Sequence, residues 1–88
     1  AARRTVPTDD AAVRAELEKL RAERGASFRP AELAVRKGED GLLVTFALRV
    51  PGGLPVGEAH DLSDEVEREL KRRLGGGRVV IHVEPREE

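Results

Sequence analysis

"LPVGEAHDLSDEVERELKRRLGGGRVVIHVEP", residues 54–85, decides the fold, because its hydrophobic period changes once along its length. Up to Leu74 the apolar residues Ala59, Leu62, Val66, Leu70 and Leu74 recur three or four apart, which predicts a helix with one buried stripe. Pro55 suits the first turn of that helix, and Lys71, Arg72 and Arg73 suit the negative end of its dipole. Gly75, Gly76 and Gly77 stop it. From Arg78 the period becomes two: Val79, Ile81 and Val83 alternate with Val80, His82 and Glu84, the pattern of a strand with one face inward.

Upstream, "AELAVRK" (31–37) places Leu33 and Val35 on one side and Glu32, Ala34 and Arg36 on the other. "LLVTFALRV" (42–50) alternates again, with Leu42, Val44, Phe46, Leu48 and Val50 on one face. The short Gly- and Asp-containing stretch between them predicts an antiparallel hairpin. Before it, "TDDAAVRAELEKLRAERG" (8–25) reads as a helix, with Thr8 as cap, Asp9 and Asp10 in the first turn, an apolar stripe of Val13, Leu17 and Leu20, and Gly25 just past the end.

The order is helix, strand, strand, helix, strand. A strand–helix–strand unit closes right-handedly, which puts the third strand parallel to the second or one position removed, and both helices on one face of a three-stranded sheet. This is an α+β architecture. The other face is left open, with Leu43, Thr45, Ala47, Arg49, Val80, His82 and Glu84 on it, and an uncovered face on so small a domain predicts a homodimer. The chain divides into a lead-in linker (1–7), a single domain (8–86) and a short tail (87–88).

With 88 residues there is room for one modest core. Sixteen basic residues against 17 acidic ones, mixed along the chain, leave no nucleic-acid footprint, so no nucleic-acid partner is expected. Cysteine is absent, which excludes disulfide and thiolate chemistry. No apolar run is long enough to span a bilayer, and the stretch AARRTVPTDD has no apolar segment of the kind a signal peptide carries. The chain begins at Ala1 rather than Met and is read as a piece of a longer protein.

Two histidines are present, His60 near the start of the second helix and His82 in the last strand. The strand returns antiparallel to the helix, and the lengths agree at roughly 20 Å each. His60, His82 and Glu84 are therefore expected at one end of the domain. Two imidazoles and a carboxylate form a candidate set for zinc or a similar divalent cation. On spacing alone such residues are more often solvated polar side chains than ligands. If Ile81 and Val83 face the helices, His82 points away from the side of His60, so one ion joins them only at the twisted sheet end or across a dimer contact.

Leu54-Pro55-Val56, Glu58-Ala59-His60, Val66-Glu67 and the ending Ile81-His82-Val83-Glu84-Pro85 resemble the cytoplasmic C-terminal domain of the cation diffusion facilitator (cation efflux) family of divalent-metal transporters. Leu33, Arg36 and Gly38 match that family more loosely. The resemblance spans about Asp9 to Pro85. It implies a ferredoxin-like or metallochaperone-like αββαβ domain that dimerises below a membrane-embedded transport domain of the same parent chain. It also implies a place on the cytoplasmic side of a membrane and regulation of a proton-coupled zinc or divalent-cation exporter through metal at the dimer contact. By the same resemblance His60 and His82 match the family's helix and strand histidines, Glu84 stands where an aspartate is usual, and Ala31 and Ala47 replace two positions that often hold histidine. A second reading is a free-standing small α/β interaction module that binds a protein or nucleic-acid partner on its open sheet. No arrangement of residues points to an enzyme, because Ser27 and Ser63 lack a neighbouring histidine in sequence and the glycines at 75–77 follow a helix rather than open one.

Overall fold

The computed structural model describes residues 9–25, 27–39 and 41–86; the expected lead-in, Thr8, Asp40 of the first turn and the tail lie outside the described residues. Helix α1 (Asp10–Glu23) is capped by Asp9, whose carboxylate accepts the Ala12 N–H at 2.8 Å. Asp9 is therefore the cap rather than a residue of the first turn. Gly25, at φ +66°, ends the helix in the left-handed conformation that glycine adopts without a Cβ clash. Phe28 follows, fully buried in the loop before the sheet, and its carbonyl accepts a 2.8 Å hydrogen bond from Arg21 Nε.

Strands β1 (Arg29–Gly38) and β2 (Gly41–Val50) form the antiparallel hairpin, helix α2 (Val56–Leu74) crosses over, and β3 (Arg78–Pro85) lies parallel to β2. The sheet order is β1-β2-β3, so β3 sits directly beside β2 and β2 is central. Pro55 is the N-cap of α2 rather than part of its first turn, with ψ 143°. Gly77 is forced by its surroundings: φ is +86°, and a Cβ there would lie 2.5 Å from the Leu42 carbonyl oxygen. The turn from α2 passes against the start of β2 only with no side chain at that position.

Val44, Phe46, Leu48 and Val50 of β2 are buried on the helix side of the sheet, together with Val79 of β3, the α1 stripe and Val66, Leu70 and Leu74 of α2. Leu33, Val35 and Ile81 pack partly buried around them. Val83, expected in this core, is 40% exposed, because it lines a depression of about 400 Å³ beside the start of α2 instead of meeting a covering side chain. The helices are tied to each other by Arg73. Its guanidinium, only 11% exposed, donates to Glu69 at 3.1 Å and to Glu23 of α1 at 2.6 Å, with Glu16 of α1 at 3.6 Å.

Strict alternation along β1 does not hold. Ala31 pairs with Ala47 and Ala34 with Thr45, so β1 carries one more residue than β2 between those pairs. The extra residue is accommodated at Glu32, whose φ of +55° is left-handed. Ala31, which simple alternation puts on the side of Leu33, is thereby moved to the open face.

Candidate metal centre

The register lays the open face out in cross-strand rows. Arg29, Arg49 and Glu84 form one row, Ala31, Ala47 and His82 the next, and Ala34, Thr45 and Val80 the third. His82 is exposed and Glu84 half-buried, side by side on one face as strand periodicity requires. Glu84 is held by Arg49, whose Nε lies 3.6 Å from its carboxylate. Ala47, between Ala31 and His82 in its row, is only 3% exposed although no helix covers this face.

His60 is at the expected end of the domain but on the other side of the sheet. It lines the depression on the helix side with Val83 and Pro85, its ring is 73% exposed, and its Nε2 lies 3.3 Å from Asp64 Oδ2 one turn further along α2. Asp64 is not among the candidate ligands read from the sequence. The His-x-x-x-Asp spacing, which stacks two donors on one helix face, is the signal that finds it.

The three expected ligands are thus divided by β3. His82 and Glu84 share the open face, and His60 and Asp64 lie together on α2, as two separate pairs of possible donors. Among the described residues no group of three or more histidine or carboxylate side chains converges on one point. A zinc site takes about four ligands. A cation at either pair would need further ligands from water or from another chain.

The model of the cation efflux protein cytoplasmic domain matches residues 12–86. Among solved structures, the Zn form of CzrB, studied as a zinc transporter, is 33% identical and superimposes with a TM-score of 0.77 over 99% of this chain and 100% of that one. A further CzrB structure is 37% identical, with a TM-score of 0.75 over 85% and 89% of the two chains. The metal-bound C-terminal domain of the CzcD transporter from Thermotoga maritima is 26% identical, with a TM-score of 0.65 over 82% and 92%. An uncharacterised transporter of Synechocystis sp. is 34% identical over 56 residues, 64% of this chain and 18% of that protein. Among the described residues no helix is long and apolar enough to cross a membrane. With its αββαβ order, its strand order and a match over nearly its whole length, the chain belongs to the family of cation efflux protein cytoplasmic domains.

Proposed function

We propose that this chain is the regulatory and dimerisation domain of a proton-coupled transporter that exports zinc or a similar divalent cation, and that the cation is sensed where two copies meet. One observation carries the reading. The four donors stand as two incomplete half-sites on opposite faces of the same strand, His82 with Glu84 and His60 with Asp64. Within one protomer the sheet keeps them apart. Between two protomers, the open face of one copy presents His82 and Glu84 to the start of α2 in the other, and the sum is two imidazoles and two carboxylates, a donor set suited to tetrahedral zinc.

The relatives support this reading, since a Zn form of CzrB and a metal-bound CzcD domain share the fold. Cation binding then favours the joined state, because an ion held by donors from both copies binds the dimer and not the monomer. The membrane-embedded part of the parent chain, when present, raises the effective concentration of the two domains and strengthens a contact that is weak in isolation.

The test is zinc titration by calorimetry together with sedimentation at high micromolar concentration. The expected results are zinc binding, a zinc-dependent shift towards dimer, and loss of both in a His60→Ala, His82→Ala double variant. Zinc binding unchanged in that variant would place the cation elsewhere, and a monomer with and without zinc would remove the dimer from the proposal.

A further inference from the structure

Beyond the row of Ala34, Thr45 and Val80, the open face ends in a fourth row of Arg36, Leu43 and Arg78. Arg36 and Arg78 stand two strand spacings apart, roughly 10 Å between backbones, with the half-buried Leu43 between them. Both arginines are exposed. Other arginines of the domain are engaged: Arg49 with Glu84, Arg24 with Glu65, Arg72 with Glu69, and Arg73 with Glu69 and Glu23. Arg36 and Arg78 have no ion-pair partner among the described residues.

Neither of these two rows holds a carboxylate. Glu84, on the same face, lies three rows away, roughly 20 Å along the strand. Glu39 of the hairpin turn and Glu32 of the bulge flank the rows and pair with neither arginine. Ala34, Arg36, Leu43 and Thr45 line a depression of about 300 Å³, and the single methyl of Ala34 leaves the space for it. Val80, one of the exposed large hydrophobic side chains, stands beside Thr45 and extends the apolar floor.

We propose that Arg36, Arg78 and Thr45 form a binding site for a phosphate monoester carried on an apolar body. Two guanidiniums with no acid between them repel each other, and an anion seated above Leu43 replaces that repulsion with two attractions. A carboxylate has two oxygens, which one guanidinium fork fills. A phosphate monoester has oxygens enough for two forks and the Thr45 hydroxyl, and Leu43, Ala34 and Val80 meet its carbon. The same chemistry is offered by a soluble organophosphate and by the headgroup of phosphatidic acid. The site lies two rows from His82 and needs no cation, so it is independent of the function proposed above.

The test uses the metal-free chain as wild type, Arg36→Gln, Arg78→Gln and Arg29→Gln, with circular dichroism as the check on folding. Phenyl phosphate, inorganic phosphate and benzoate are titrated by calorimetry, and vesicles of phosphatidylcholine with and without phosphatidic acid are used in co-sedimentation. Arg29 is exposed in the first row of the same face, so its replacement removes the same charge roughly 20 Å from the site. Wild type is expected to bind phenyl phosphate saturably, more tightly than inorganic phosphate and at least about tenfold more tightly than benzoate. Arg36→Gln and Arg78→Gln should each weaken phenyl phosphate at least about tenfold, through lost charge-assisted hydrogen bonds. Arg29→Gln, more than a screening length away, should change it less than about twofold. The same variant pattern seen only with phosphatidic acid vesicles assigns the phosphate to a lipid, and seen only with phenyl phosphate it assigns a soluble ligand. No binding of either probe at millimolar phosphate would overturn the site. So would benzoate bound as tightly as phenyl phosphate, or an equal loss in all three variants, which is what diffuse positive charge gives.

Discussion

Replacing both Ala31 and Ala47 by histidine is expected to turn a two-donor half-site into a binding site complete within one protomer. Ala31, Ala47 and His82 are consecutive partners across three strands on the open face, and neighbouring positions in such a row are about 4.8 Å apart. No helix covers this face of the sheet, so the new side chains extend away from the core, the one at 47 starting from a Cβ enclosed between its row neighbours. The cost in stability is within about 1 kcal/mol, the span of strand preferences. For 88 residues the total is about 4–13 kcal/mol at ordinary values per residue, so the fold survives.

The gain is larger than that cost. Loss of an outer partner of a metal ligand weakens binding by about 10–100-fold, and a direct ligand contributes no less, so each imidazole should tighten zinc at least about tenfold. The double variant then gains at least about 3 kcal/mol. Calorimetric titration of wild type, Ala47→His and the double variant measures the series. Adding His60→Ala should weaken the double variant far less than it weakens wild type, because three imidazoles now come from one protomer. A double variant that keeps its circular dichroism spectrum but binds zinc no more tightly than wild type would refute the assignment of the row.

Further outcomes follow from the core and the helix pair. Phe46→Ala, at a side chain 1% exposed on the central strand, should cost about 3–5 kcal/mol in urea unfolding, and a cost near zero would show that the ring is not packed as described. Hydrogen bonds from Arg72 and then Arg73 hold the Glu69 carboxyl below the ordinary range, lowered from 4.5 to about 2. A depressed carboxylate stabilises the fold above its unfolded value, so this contribution is present above about pH 4.5 and is lost as pH falls through about 2. Glu69→Gln should therefore lose less stability than wild type between pH 6 and pH 3, and parallel slopes would count against the pairing. A chelator should leave the circular dichroism signal unchanged, because the buried cluster of Val13, Leu17, Phe46, Val66 and Leu70 exists without metal.

The second helix and last strand were legible because their hydrophobic period changes cleanly at Gly75, and the open face followed from which residues of β2 and β3 were left over. Other features carry no such mark. Phe28 belongs to no periodic segment, so nothing in sequence distinguishes its full burial from exposure in a loop. Thr8 and Asp9 are both competent caps, and only the 2.8 Å contact with Ala12 selects Asp9. Val83 continues the inward alternation faithfully yet stays exposed, because burial depends on whether α2 still covers the sheet at that end. For the candidate ligands, chain lengths brought His60, His82 and Glu84 to one end correctly. The face each occupies was legible only as the objection that His82 points away from His60.

The bulge at Glu32 shows why the site was harder to read than the fold. A left-handed residue other than glycine costs about 1–2 kcal/mol, and sequence reading looks for glycine at such places. Without the bulge Ala31 faces the helices; with it, Ala31 stands beside Ala47 and His82 in the row where the resemblance expects histidines. The core is indifferent to what fills that row, since Val44, Phe46 and Leu48 are buried on the opposite side of the same strand. Ligands on the open face can therefore be lost one at a time while the domain keeps its shape. That separation accounts for a chain that retains the whole αββαβ framework and two half-sites but has alanine at two positions of the row. On the function proposed above, completing a site then falls to the contact between protomers, to which α2 would bring His60 and Asp64.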